Sequence, residues 1–168
     1  VETDGFDFSA NYQLDVGEMG DLYFSGRGTF MNKYMADVGH GLENLVGKRN
    51  YQNFAHALPR FKGNATATWK QDVHQVSLSV NYIDSFTENL SNLASPINGF
   101  KVNAFTTYDL QYAIDFERWG ANLSVGMLNV LDAKPPAVGL INVELSGYDR
   151  QMHDPRGRML YVKIAKTF

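Results

Sequence analysis

Apolar and polar residues alternate one for one through seven stretches of this chain. In FDFSANYQLD, Phe6, Phe8, Ala10, Tyr12 and Leu14 share one face, and Asp7, Ser9, Asn11, Gln13 and Asp15 share the other. LYFSGRGTFMNKY sets Leu22, Phe24, Gly26, Gly28, Phe30 and Tyr34 against Tyr23, Ser25, Arg27, Thr29 and Lys33. FKGNATATW, VSLSVNY, YDLQYAIDF, ANLSVGML and MLYVKIAKTF repeat the pattern. A period of two places alternate side chains on opposite faces of an extended strand, and no stretch of helical period competes with it. The expected strands are 5–15, 21–35, 60–70, 74–86, 102–116, 120–131 and 158–168.

The connections sort by length. Residues 16–20, 71–74 and 117–120 are tight turns, whereas 37–59, 87–101 and 132–157 are long and rich in Gly, Asn and Pro. Short and long connections alternate, as they do in a transmembrane β-barrel with short periplasmic turns and long extracellular loops. Alternation alone does not separate a barrel, whose apolar face meets lipid, from a soluble sandwich, whose apolar face is its core. Loop sorting favours the barrel. So do strand lengths near the roughly 9–11 residues a tilted spanning strand requires. A third sign is the aromatics at strand ends, namely Tyr12, Phe30, Tyr34, Trp69, Tyr82, Phe116 and Trp119, placed as interfacial girdles are. The expected class is therefore all-β, an antiparallel transmembrane barrel section spanning 1–168.

Composition sharpens this only slightly. The 168 residues carry a formal net charge of −3 and no cysteine, which excludes disulfides and thiolate chemistry and gives no sign of a nucleic-acid partner. No run of 18 apolar residues predicts a membrane helix. The chain opens at Val1 directly into polar sequence, which suggests a piece of something longer or a processed chain. Seven strands with open edges would leave backbone N–H and C=O groups unpaired in hydrocarbon, at several kcal/mol each, so further strands must close the sheet. They lie either upstream in the same chain or on a partner.

Three motifs in order carry a family resemblance. ALPRFKGNATATWKQDVHQVSLSVNYIDSF holds a Pro-Arg-aromatic lead-in, a strand ending in Trp, a tight turn and a returning strand. TTYDLQYAIDFERWGANLSVGMLNVLDAKPP holds an Asp-Leu-Gln strand and an Asn-x-x-Asp-x-x-Pro-Pro strand exit. YDRQMHDPRGRMLYVKIAKTF leads through Asp-Pro-Arg-Gly-Arg into the last strand. Together they resemble the C-terminal part of a TonB-dependent outer-membrane receptor. The resemblance implies a 22-stranded barrel with a plug in its lumen, of which this chain is about the last third. It implies a bacterial outer-membrane location, and as partners the remaining strands and plug, the TonB complex, lipid and lipopolysaccharide, and the barrel-assembly machinery. Leu160, Val162, Ile164 and the terminal Phe168 resemble the signal that machinery reads. Lys166 departs from it, at a cost of about 0–1 kcal/mol this near the interface.

The loop GHGLENLVGKRNYQNFAHALP mixes basic, amide and aromatic groups and is the best candidate for ligand contact, through His40, Lys48, Arg49, Tyr51, Phe54 and His56. In the family such loops line the extracellular mouth, and the ligand is a ferric siderophore, a haem, a cobalamin or an oligosaccharide. The four histidines, His40, His56, His74 and His153, lack metal-ligand spacing and are expected to be solvated. Arg27, Lys33, Lys62, Asp109 and Asp115 are expected on the lumen wall. Gly26 and Gly28 precede no helix, so they are no phosphate cradle; they are expected to allow bending or make room for aromatics. In DPRGR, Asp154-Pro155 opens a turn, Gly157 supplies a permissive backbone, and Arg156 and Arg158 are expected near headgroups. No catalytic constellation, cofactor motif or metal site is read, and no enzyme is expected. The competing class is a passive porin-like or split barrel completed by other chains, or a soluble sandwich.

Overall fold

A computed structural model of the chain describes residues 1–37, 41–50, 56–92, 95–139 and 147–167. Seven long strands form one antiparallel sheet in the order β1 (Glu2–Asp15), β2 (Asp21–Asp37), β5 (Phe61–Gln71), β6 (His74–Ile83), β9 (Phe105–Phe116), β10 (Ala121–Leu128) and β11 (Met159–Lys166). A short β3 (Leu42–Asn44) adds to the end of β2. Each long strand pairs with its neighbour along the chain, and the sheet is not closed: among the described residues, β1 and β11 each have one unpaired edge.

The register keeps the apolar face continuous across every pair. Phe24 sits opposite Tyr12 and Ala67, Ala67 opposite Leu78, Leu78 opposite Leu110, Leu110 opposite Met127, and Met127 opposite Leu160. A slip of one residue would move each such set to the opposite face. No second layer covers this face among the described residues. Leu78 is 50% exposed, Val125 42% and Val162 67%, whereas Ser124 on the polar face is 4% exposed. A sandwich reverses that order, because its apolar face is its interior.

Two aromatic bands border the apolar face. At the tight-turn end, Trp69 Nε1 donates to the Met19 carbonyl at 2.7 Å, Phe116 stacks on Trp119, and His74 Nδ1 lies 2.7 Å from the Tyr112 hydroxyl. At the other end, Phe6 stacks on Phe30, Phe8 on Phe61, and Phe61 tilts against Tyr82. Phe61 and Trp69 stand at opposite ends of the outer face of β5. At about 3.3 Å per residue they are about 26 Å apart along the strand, comparable to the roughly 25 Å apolar band of an outer-membrane barrel.

The chain departs from the sequence expectation in three places. The stretch 74–86 is not one strand: β6 stops at Ile83, and β7 (Phe86–Asn92) starts a separate sheet. Likewise β8 (Ser95–Val102) ends before β9 begins at Phe105. These join β4 (Lys48–Asn50) in a three-stranded sheet of order β4-β7-β8, so the long connections carry structure of their own. The third departure concerns Lys33. A bulge between Asp4 and Gly5 in the β1–β2 pair leaves Asn32 without an opposite residue, so Lys33 sits opposite Asp4 and Tyr34 opposite Thr3. An extra residue in one strand inverts the faces beyond it. Lys33 therefore stands on the face of Phe6 and Glu2, bonded to the Glu2 carboxylate at 2.5 Å, and not on the lumen wall. Tyr34 moves to the opposite side.

Candidate functional site

The polar face is a lattice of side-chain hydrogen bonds between neighbouring strands. Thr66 and Ser79 hydroxyls meet at 2.8 Å, and Thr68 and Ser77 at 2.9 Å. The Arg27 guanidinium donates to Asn64 at 3.0 Å, Asn122 to Asp115 at 2.6 Å, and the Tyr161 hydroxyl to Gln111 at 2.7 Å. Near the long loops this face opens into a hollow of about 560 Å³ whose polar lining includes Asp7, Arg27, Thr29, Lys62 and Asn64. Short hydroxyls and amides that satisfy one another need no bulk water, while the hollow is lined by charges of both signs.

Asp109 connects this wall to the loop above β10. Its carboxylate accepts from the Asn81 amide at 2.9 Å and from the Asn129 backbone N–H at 2.8 Å. Asn129 closes the strand exit on itself, accepting from the Ala133 N–H and donating to the Ala133 carbonyl, both at 2.9 Å. Asp132 then receives the Arg158 backbone N–H at 2.9 Å and pairs with Lys134 at 3.0 Å. That bond to Arg158, helped by Lys134, holds the Asp132 carboxyl below its ordinary pKa. Gly157 has φ +69° and passes so close that an added Cβ would stand 2.6 Å from Asp132 Oδ1. The strand exit after β10 and the Asp-Pro-Arg-Gly-Arg lead-in to β11 thus form one clasp. Within it the Asp154 carboxylate binds the Arg156 guanidinium in bidentate fashion at 2.5–2.9 Å, which lowers the Asp154 pKa.

Most of the buried residues among those described lie in the long loops. Ala57, Phe86, Val102 and Val138 form a small core with Met152 against it, and Leu45 is also fully buried. Arg49 lies beside this core and joins three connections. Its Nη1 donates to Glu88 Oε1 at 2.9 Å, and its Nε stands 3.5 Å from Asp149 Oδ2, an ion-pair distance. The other Glu88 oxygen accepts the Gly139 N–H at 2.6 Å. Arg49 is 3% exposed, and Glu88 and Asp149 are fully buried. Charges removed from water to this degree persist only when paired and hydrogen-bonded, so the knot ties β4, β7, the Gly139 backbone and Asp149 to one another.

The expected ligand contacts separate on this geometry. His40, Tyr51 and Phe54 lie outside the described residues. Lys48 pairs with Glu43, and His56 is exposed. The Arg49 guanidinium faces its own loops' interior and not the mouth. Leu160, Val162 and Ile164 stand exposed on the outer face of β11, while Phe168 lies outside the described residues. His153, expected to be solvated, is instead 4% exposed between the rings of Phe86 and Phe105. Glu88, Asp149 and His153 carry no sequence motif. The available signal is the apolar residues interspersed through the connections, such as Leu45, Val46, Phe86, Val102 and Val138, which a purely solvated loop does not need.

No protein-family model and no curated protein sequence matches the chain. Among solved structures it is similar to a point mutant of the ferric enterobactin receptor PfeA from Pseudomonas aeruginosa, with a TM-score of 0.58 and 15% identity. The match covers 96% of this chain and 22% of that receptor, so the chain spans about a fifth of its length. At this identity the likeness concerns the fold alone: the sheet has the architecture of a section of a β-barrel receptor.

Proposed function

We propose that the chain is the C-terminal wall of a TonB-dependent outer-membrane receptor. In this reading the whole receptor captures a scarce nutrient at its extracellular loops and imports it with energy delivered through TonB. One observation carries the proposal. A continuous apolar face that no layer covers among the described residues backs a hydrogen-bonded polar face, in a sheet whose long connections all leave from one end. Lipid is the environment in which such a face costs nothing, and an enclosed lumen is the environment that suits its polar reverse. The three motifs described above, in order and at fitting spacing, point to the same family.

In this reading each feature has a role. The edges of β1 and β11 bind further strands that close the barrel. The mixed-charge hollow around Arg27 and Lys62 faces a plug. The outer aromatic bands meet lipid headgroups and lipopolysaccharide, and the apolar end of β11 engages the barrel-assembly machinery. In this reading Lys48 and His56 contact the ligand, on a loop cluster that Arg49, Glu88 and Asp149 hold in shape. A ferric siderophore is the first ligand to test, since the structural neighbour is a ferric enterobactin receptor.

The test is accumulation of ferric siderophore, haem, cobalamin and maltodextrin by cells with and without the intact gene, each with and without an uncoupler. The proposal expects gene-dependent uptake of one of the four that stops when the proton-motive force collapses. Gene-dependent uptake that survives the uncoupler indicates a passive porin-like barrel and contradicts the receptor reading. Absence of gene-dependent uptake of any of the four contradicts it as well.

A further inference from the structure

His153 occupies an unusual place for an ionisable side chain. It lies in the turn that follows Asp149, where the Asp149 carbonyl accepts the His153 N–H at 3.0 Å and Asp149 Oδ1 accepts the N–H groups of Gln151 and Met152. Its ring stacks on Phe86 at 6.4 Å and meets the edge-on ring of Phe105 at 5.2 Å. Among the described residues neither ring nitrogen has a hydrogen-bond partner. An imidazole that makes no such bond can sit there only while it is uncharged, because a buried cation without a partner is far more costly than a buried neutral ring.

The charged groups around it do not reverse this. Asp149 on its own turn favours the cation, but that carboxylate already receives two N–H groups and faces Arg49 of β4. Glu88 of β7 is bonded to Arg49 and Gly139. Lys62 of β5 approaches from below, its ammonium 3.8 Å from Met152 Sδ, and opposes a second positive charge. Phe105 of β9 offers only a ring. Burial is the largest influence and lowers the His153 pKa from its ordinary 6.5; Asp149 counteracts it and Lys62 adds to it.

We propose that His153 is a proton-sensitive latch on the loop cluster: neutral, its ring sits between Phe86 and Phe105 and holds the turn 147–153 beside the Arg49 knot, and protonated, it leaves the slot and releases that turn. Because the seated ring has the lower pKa, the latch is fully effective above about pH 6.5 and weakens as the pH falls through the seated value. The proposal goes beyond nutrient import and needs only the loop cluster.

Hydrogen exchange on the full-length protein in detergent micelles, at pH 7.5 and 5.5 with intrinsic rates divided out, tests it. Amides of 147–153 should lose protection by up to about tenfold at the lower pH, the limit set by one proton taken up below pH 6.5, while β5 keeps its own. His153→Phe fills the slot without titrating and should show equal protection at both pH values; His153→Leu serves if that variant does not assemble. Equal protection in the unsubstituted protein, loss in β5 alongside the turn, or an undiminished pH response in the variants overturns the proposal. No ligand enters the assay, so its failure leaves the import reading intact, and failure of import leaves the latch intact.

Discussion

Gly26 and Gly28 look alike in sequence, two residues apart on the outer face of β2, yet they do different things. The rings of Phe8 and Phe61 stack at 6.1 Å over Gly28, where an added Cβ would lie 2.8 and 2.7 Å from them. Around Gly26 the nearest atom is the Asn64 carbonyl oxygen at 3.9 Å. Gly28→Val should therefore split the aromatic pair and cost about 1–3 kcal/mol, the range for overpacking. Gly26→Val should be neutral or stabilising, since it adds a strand-favouring apolar side chain where the nearest atom stands 3.9 Å away. Urea unfolding of the full-length protein in lipid vesicles measures both, and equal costs would contradict the placement of the rings. Period-two patterning put both glycines on the correct face, but could not say which one an aromatic covers. That depends on the Phe8–Gly28–Gly63 register across three strands. Arg49 is the opposite case. Sequence offers it as an exposed basic residue in a long loop, and only the folded loops bring Glu88 and Asp149 against it.

The long strands were legible because each is half apolar, half polar and bounded by Gly-rich or charged turns. β7 and β8 were not, because FTENLSN and SPINGFKV break the alternation with Pro, Gly and runs of polar residues. Their pairing comes from packing Phe86 and Val102 into the loop core. The inverted faces around Lys33 were hidden for a related reason: a bulge is one extra residue, and nothing in FMNKY distinguishes it from an unbroken strand. The clasp between β10 and β11 was half legible, as two separate motifs whose contact the sequence does not state. Its pH behaviour follows from Asp132. The depressed pKa means the clasp is at full strength above the ordinary carboxyl pKa near 4 and is lost as the pH falls through the depressed value. Asp132→Asn should remove that acid-sensitive step and loosen the lead-in to β11 at neutral pH. Exchange of the Arg158 amide checks this; the same protection at pH 7 in both proteins would contradict the assigned bond.

Taken whole, the molecule is a wall with two unlike sides and two unlike ends. The tight turns at one end carry Trp69, Phe116 and Trp119. At the other end the connections build a small core around Phe86 and Val102, with a buried ion knot beside it. Most soluble folds of this length hide their apolar side chains, and this one hides its loop contacts instead. The most direct measurement uses the absence of native cysteine. Single cysteines placed in turn at 76 to 82 along β6 of the full-length protein in lipid vesicles can carry spin labels. Collision with lipid-soluble oxygen and with a water-soluble nickel reagent is then compared at each position. A membrane wall gives period two: Val76, Leu78, Val80 and Tyr82 meet oxygen, while Ser77, Ser79 and Asn81 meet the aqueous reagent or stay packed. If the even positions were shielded from both reagents and the odd ones open to bulk water, the apolar face would be a dry interior and the outer-membrane account would be wrong.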